Sequence, residues 1–186
     1  YGKVDILWYD VPWPLKSPAL WESKKMNAMA RRLQPHILIN NRSQLPEDFG
    51  TPEEHVKPEP AKDGRGWEAC MTYNNAWGYM PSAIDWRSNR EVLGLLNQCA
   101  AYNGNLLLNI GPKPDGSVPV EAIQRLTAIG QWIGTHGEAL YGPVARMDTT
   151  QSESLPTGGL NPWSMKNQGR TVYYWCKHWP GNGELV

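Results

Sequence analysis

No apolar run in this sequence approaches the roughly 18 residues that a membrane-spanning helix needs, and no secretory signal pattern opens the chain. A surplus of one charge is missing too. Lys+Arg and Asp+Glu stand at 18 each, so no basic field points to nucleic acid or an anionic membrane, and neither is expected as a partner. Cysteine is scarce. Cys70, Cys99 and Cys176 are odd in number and lack metal-ligand spacing, which argues against a disulfide framework and against zinc. Phenylalanine is nearly absent: one residue against 10 Trp and 8 Tyr. Flat, amphipathic rings suit sugar stacking and suit core packing equally, and composition leaves both open. What is present is ordinary for a globular protein: 186 residues, 40% hydrophobic and 19% charged. There is no internal repeat.

The chain is organised around Val4-Asp5-Ile6-Leu7-Trp8-Tyr9-Asp10, a short β-rich apolar run closed by Val11-Pro12-Trp13-Pro14. A run apolar almost throughout suits a strand buried on both faces, as in a parallel sheet. Asp10 ends it, placed as catalytic groups are at the C-terminal ends of α/β-barrel strands. The alternative is an Asp capping a turn. Periodicity then predicts a helix over Ala19 to Leu33, with Leu20, Met26, Met29, Ala30 and Leu33 on one face, stopped by Pro35. A second strand, His36 to Asn41, leads into Arg42. The proline-rich stretch from Ser43 to Gly66 is too long for an ordinary connector. A third strand covers Trp67 to Tyr73, a helix Asn89 to Ala101, and a fourth strand Asn105 to Ile110. Gly111 to Gly116 is turn-rich, and Pro119 opens a last helix that runs to Gly137.

Strands alternating with helices in this order predict an α/β fold with parallel strands and crossover helices. Beyond Gly142 the pattern changes. Trp163 to Lys166 and Thr171 to Cys176 read as two short strands about an Asn167-Gln168-Gly169-Arg170 turn. A boundary is expected near Tyr141, giving a region 1–141 and a β segment 142–186. The second piece is too small for a core of its own and must pack on the first or on another chain.

Seven stretches, in order, resemble the α-L-fucosidases of glycoside hydrolase family 29. They are Leu7-Trp8-Tyr9-Asp10, Ile39-Asn40-Asn41-Arg42, Asp48-Phe49-Gly50-Thr51-Pro52-Glu53, Trp67-Glu68-Ala69-Cys70-Met71-Thr72, Trp77-Gly78-Tyr79, Gly104 to Pro112, and Gly137-Glu138-Ala139-Leu140-Tyr141-Gly142. The resemblance implies a partial (β/α)8 TIM-type barrel, about its second half, followed by the start of a C-terminal β-sandwich as a short antiparallel segment. It implies hydrolysis of terminal α-L-fucose from fucosylated oligosaccharides or glycoconjugates, with retention of configuration and no metal or organic cofactor. Extracellular or periplasmic placement follows from the family alone.

Retention requires two carboxyl groups about 5–5.5 Å apart, one attacking the anomeric carbon and one protonating the leaving oxygen. The resemblance makes Asp10 the nucleophile of a covalent fucosyl-enzyme intermediate. It places the acid/base at Glu53 or at Glu68. Glu53 lies on the long loop, able to swing over a bound sugar, whereas Glu68 starts a strand, the end that faces away from a barrel's active site, so Glu53 is preferred. Glu54 and Glu59 match nothing and read as solvated carboxylates. Arg42 follows a strand end and carries a planar fork suited to a sugar hydroxyl or the nucleophile, or to a structural salt bridge. Trp8 and Trp77 offer apolar faces to fucose, with core packing the alternative for Trp8. His55 on the loop is a candidate for sugar hydroxyls, and His36 reads as surface.

The earlier half of the family barrel has no counterpart here, so a fragment or a shortened form is expected. An open half-barrel exposes strand edges, and pairing of two or more copies is expected to cover them. Two rival classes stand beside the fucosidase reading: a catalytically weak or inactive fucose-binding scaffold, and a retaining glycosidase for another sugar.

Overall fold

The computed structural model describes residues 2–56 and 65–141 together with Tyr173. The expected β segment over 142–186 lies outside the described residues apart from Tyr173, as do positions 57–64 of the long proline-rich stretch. The chain divides into two compact units, Tyr1–Cys70 and Met71–Val186.

The first unit begins with a parallel β-α-β turn. Strand β1 (Ile6–Leu7) pairs with β2 (Leu38–Ile39) in the register Ile6↔Leu38 and Leu7↔Ile39, with helix α1 (Ser23–Leu33) between them in sequence. Parallel strands need such a crossover, which is why the chain spends its first helix here. The expected strands at both ends of α1 are present but shorter than their apolar runs. Leu38 and Ile6 are exposed, Ile37 and Ile39 buried, so this ribbon has one wet face and one dry face.

Helix α1 departs from its expected packing. Its apolar stripe does not face inward: Leu20, Met29 and Leu33 are exposed, whereas Ser23 and Asn27 are buried. Ser23, Asn27 and Arg31 recur at four-residue spacing on one face. Ser23 Oγ donates to the Ser43 carbonyl at 2.5 Å, and Asn27 Nδ2 donates to Ser43 Oγ at 3.1 Å and to Glu47 Oε1 at 2.6 Å. Arg31 donates to Glu47, Asp48 and the Ile37 carbonyl. The neighbour of α1 is a polar turn whose orphaned groups need partners, so hydrogen bonding sets which face turns in.

That turn, a 3-10 segment over Asn41–Ser43, leads to a strand that the sequence pattern hides. Inside the long polar stretch, β3 (Phe49–Gly50) pairs in parallel with β4 (Gly66–Thr72) in the register Phe49↔Gly66 and Gly50↔Trp67. Isolated parallel bridges Asn40↔Phe49 and Glu53↔Cys70 extend the pairing on both sides. Ile37, Ile39, Trp67, Ala69 and Cys70 form the buried apolar set of this unit.

The second unit takes over the end of β4. There the Tyr73 N–H donates to the Asn109 carbonyl at 3.1 Å, at the end of strand β5 (Asn105–Asn109). Helix α2 (Asn89–Ala101) has the predicted bounds and starts with a capping box: Ser88 Oγ accepts from the Glu91 N–H while the Glu91 carboxylate takes the Ser88 N–H. Helix α3 (Val120–His136) follows, with Pro119 one position ahead of its first turn. Tyr73, Val92, Ala122 and Ile129 form its core, with Trp86, Leu108 and Leu126 packed against them. Trp86 meets Tyr73 edge-on at 5.4 Å.

Candidate active site

The candidate site lies in the first unit, where the ends of β1, β2 and β3 meet the start of β4. Asp10 stands three residues beyond β1. The main chain turns sharply there: Val11 takes φ 54°, a left-handed conformation costly for a β-branched residue, and its N–H donates to Asp10 Oδ1 at 2.8 Å. The following loop is held from two sides, since Gln44 Nε2 and Trp21 Nε1 both donate to the carbonyls of Pro12 and Leu15. Asp10 itself stays open, with 59% of its side chain exposed.

Arg42 is the hub. It leaves β2 within the 3-10 turn, and only 10% of its side chain is exposed. One terminal nitrogen donates to Asp10 Oδ1 at 2.6 Å and the other to Glu53 Oε2 at 2.5 Å, while Nε donates to Thr51 Oγ1 at 3.0 Å. Thr51 in turn donates to Asn41 Oδ1 at 2.8 Å. The guanidinium lies over the Trp8 ring, 4.5 Å from its centroid. Each of the three nitrogens of the planar fork has a partner, which a lysine ammonium would not reproduce. Arg42 thus joins the carboxylates of Asp10 and Glu53 through its two terminal nitrogens.

Glu53 reaches this cluster because its backbone bridges β4. The Cys70 N–H donates to the Pro52 carbonyl and the Glu54 N–H to the Cys70 carbonyl, each at 2.9 Å. The long loop is thus pinned at this point, contrary to the freely swinging segment the sequence suggests. Glu53 keeps 40% of its side chain exposed. Glu68 is also closer than its place at a strand start implies: its Oε1 accepts the Trp8 indole N–H at 3.1 Å. His55 is exposed, with Nδ1 2.8 Å from the Glu53 carbonyl oxygen. His36 is on the surface, 4.0 Å from Asp5. Behind the cluster lies the buried Cys70 thiol, pushed up to about 11, mainly by burial; Arg42 opposes the shift, and Glu53, Glu68 and Asp10 add to it. Among the described residues, no three His, Cys, Asp or Glu side chains are grouped to hold a metal.

Trp77 belongs to the second unit. Its loop is fastened to the end of β5, where Asn109 Nδ2 donates to the Trp77 carbonyl at 2.7 Å. Gly111 has φ +55°, and a Cβ there would meet the Gly78 carbonyl oxygen at 2.9 Å, so glycine is required. Trp77 is 44% exposed.

A buried arginine joins two open carboxylates beside an indole, and comparison with known proteins gives the family. The family model described as Alpha-L-fucosidase matches residues 1–138. Human tissue α-L-fucosidase is 29% identical over 194 residues, covering 98% of this chain and 40% of that protein. The structure of α-L-fucosidase isoenzyme 1 from Paenibacillus thiaminolyticus matches with a TM-score of 0.71 at 33% identity, over 79% of this chain and 38% of that one. A GH29 α-L-fucosidase from Bacteroides thetaiotaomicron, trapped as a covalent intermediate with 2-fluoro-fucosyl fluoride, matches with a TM-score of 0.66 at 27% identity, over 77% of this chain and 38% of that one. The chain belongs to the α-L-fucosidase family. It spans about two fifths of the length of the curated relatives that match nearly all of it.

Proposed function

We propose that this chain carries the nucleophile and the acid/base of a retaining α-L-fucosidase, within a partial (β/α)8 barrel over 1–141. The observation that carries the proposal is the shared fork: Asp10 and Glu53 each accept from one nitrogen of Arg42. Asp10 attacks the anomeric carbon of a terminal α-L-fucose and displaces the glycan alcohol, which takes its proton from the acid/base. Water, deprotonated by the same group, then releases fucose from Asp10 with configuration retained. Arg42 orients the Asp10 carboxylate and stabilises the negative charge that returns to it when the glycosyl ester breaks. Trp8, with Arg42 over one face, presents an apolar edge to the sugar, and His55 is a further substrate contact.

Glu53 is assigned the acid/base role because it shares Arg42 with Asp10, whereas the described carboxylate contact of Glu68 is to an indole N–H. The substrates are fucosylated oligosaccharides or glycoconjugates, and two or more copies associate. Nitrophenyl fucoside turnover tests the assignment. Asp10→Ala abolishes nitrophenol release, and azide restores turnover to Glu53→Ala more than to Glu68→Ala. Rescue of Glu68→Ala alone transfers the acid/base role to Glu68. Fucose binding without turnover by the parent protein means a binding scaffold, and turnover of other nitrophenyl glycosides means another sugar.

A further inference from the structure

Asn40 sits at the point where the β1·β2 ladder runs out. The Leu38 N–H donates to the Asp5 carbonyl at 2.9 Å and the Asn40 N–H to the Leu7 carbonyl at 3.4 Å. Past Asn40 the main chain enters the 3-10 turn that delivers Arg42, so β2 offers no further peptide groups to β1. The Asn40 side chain takes their place. Its Oδ1 accepts the Tyr9 N–H at 3.0 Å and its Nδ2 donates to the Tyr9 carbonyl at 2.8 Å. A carboxamide has the donor and acceptor of a peptide unit in one plane, and here it serves the residue immediately before Asp10 with both. Asn40 is completely buried, and its own backbone bridges Phe49 on the other side. It is therefore not free to swing away.

We propose that Asn40 is a positioning residue for the nucleophile. Its paired hydrogen bonds fix the peptide planes on both sides of Tyr9, and so the direction in which Asp10 leaves the strand. The inference rests on the fucosidase reading given above. Among the described residues the Val11 N–H and Arg42 bind the Asp10 carboxylate, and the Asn40 pair holds the N–H and carbonyl of Tyr9 immediately before it. The contribution is to the reacting geometry rather than to sugar affinity, because Asn40 is buried behind Tyr9 and has no open surface for a ligand. Displacing a nucleophile by about 1 Å costs on the order of 100-fold in rate.

The test is made in the whole protein that carries this chain. Asn40→Asp keeps the size and the acceptor for the Tyr9 N–H, and sets an oxygen against the Tyr9 carbonyl in place of the donor. The expected result is a folded variant whose kcat on nitrophenyl fucoside falls about 100-fold while KM stays within roughly twofold, because ground-state binding is untouched. A folded variant with parental kcat, or one whose loss lies wholly in KM, overturns the proposal. Hydrogen exchange on the unsubstituted protein decides the matter if the variant fails to fold: the Tyr9 amide is expected to be protected as a ladder amide is, and exchange at the rate of a free loop amide overturns the inference. The fucosidase reading and the positioning role fail differently. A parent inactive on fucosides removes the fucosidase reading, whereas an active parent with an equally active, folded Asn40→Asp variant removes only the positioning role.

Discussion

A guanidinium with three hydrogen-bonded partners and an indole under it has little freedom left, and Arg42 is such a group. Its burial means that the carboxylates it joins are placed by a rigid fork rather than by two flexible side chains finding each other. Arg42→Lys is expected to lower kcat on nitrophenyl fucoside by roughly 10²-fold, since the point charge of a lysine cannot address Asp10, Glu53 and Thr51 at once. Steady-state kinetics on the folded variant checks this, and parental kcat contradicts the hub role. Asp10, Glu53 and Arg42 stand 32 and 11 residues apart along the chain. No hydropathy pattern brings them together; the family motifs alone make them a set in the sequence. Thr51 and Asn40 lie inside those motifs yet escape a sequence reading, because a hydroxyl or carboxamide that serves another residue's donor or backbone leaves no periodic signal. The short Asn at a strand end, followed by a second Asn and an Arg, is the only trace of the Asn40 arrangement.

At the scale of elements, the parts that read clearly are those whose packing is apolar. Helix α2 has its predicted bounds because Val92 and Cys99 face a core and Ser88 with Glu91 mark its start. The Glu91 carboxyl lies below its usual range, first through the Ser88 backbone N–H and then its hydroxyl. A folded pKa lower than the unfolded one stabilises above the unfolded value, and that stabilisation is lost as pH falls through the folded value. Glu91→Gln is therefore expected to lower the melting temperature at pH 7, with the difference from the parent fading as pH drops below about 4. A gap that persists unchanged at acid pH contradicts the capping role. Two elements read badly. Strand β3 is two residues long, too short to show alternation, and sits in a polar, proline-rich stretch. Helix α1 shows a clean apolar stripe that turns outward, because its neighbour is the polar Asn41–Ser43 turn and the acceptors Glu47 and Asp48. Hydropathy patterns detect apolar partners only.

For the molecule as a whole, the described surface carries several large apolar side chains. Leu20, Leu33, Leu38 and Ile84 are among the exposed ones, and such groups favour association. The 186-residue chain prepared alone is expected to run as a dimer or larger species in size-exclusion chromatography with light scattering at micromolar concentration; a stable monomer contradicts this. A covalent bond between fucose and Asp10 is checked by incubating the protein with 2-fluoro-fucosyl fluoride and mapping the adduct by mass spectrometry. One fluorofucosyl group, on Asp10, is expected. A label on another residue, or fucoside turnover with no label formed, contradicts it.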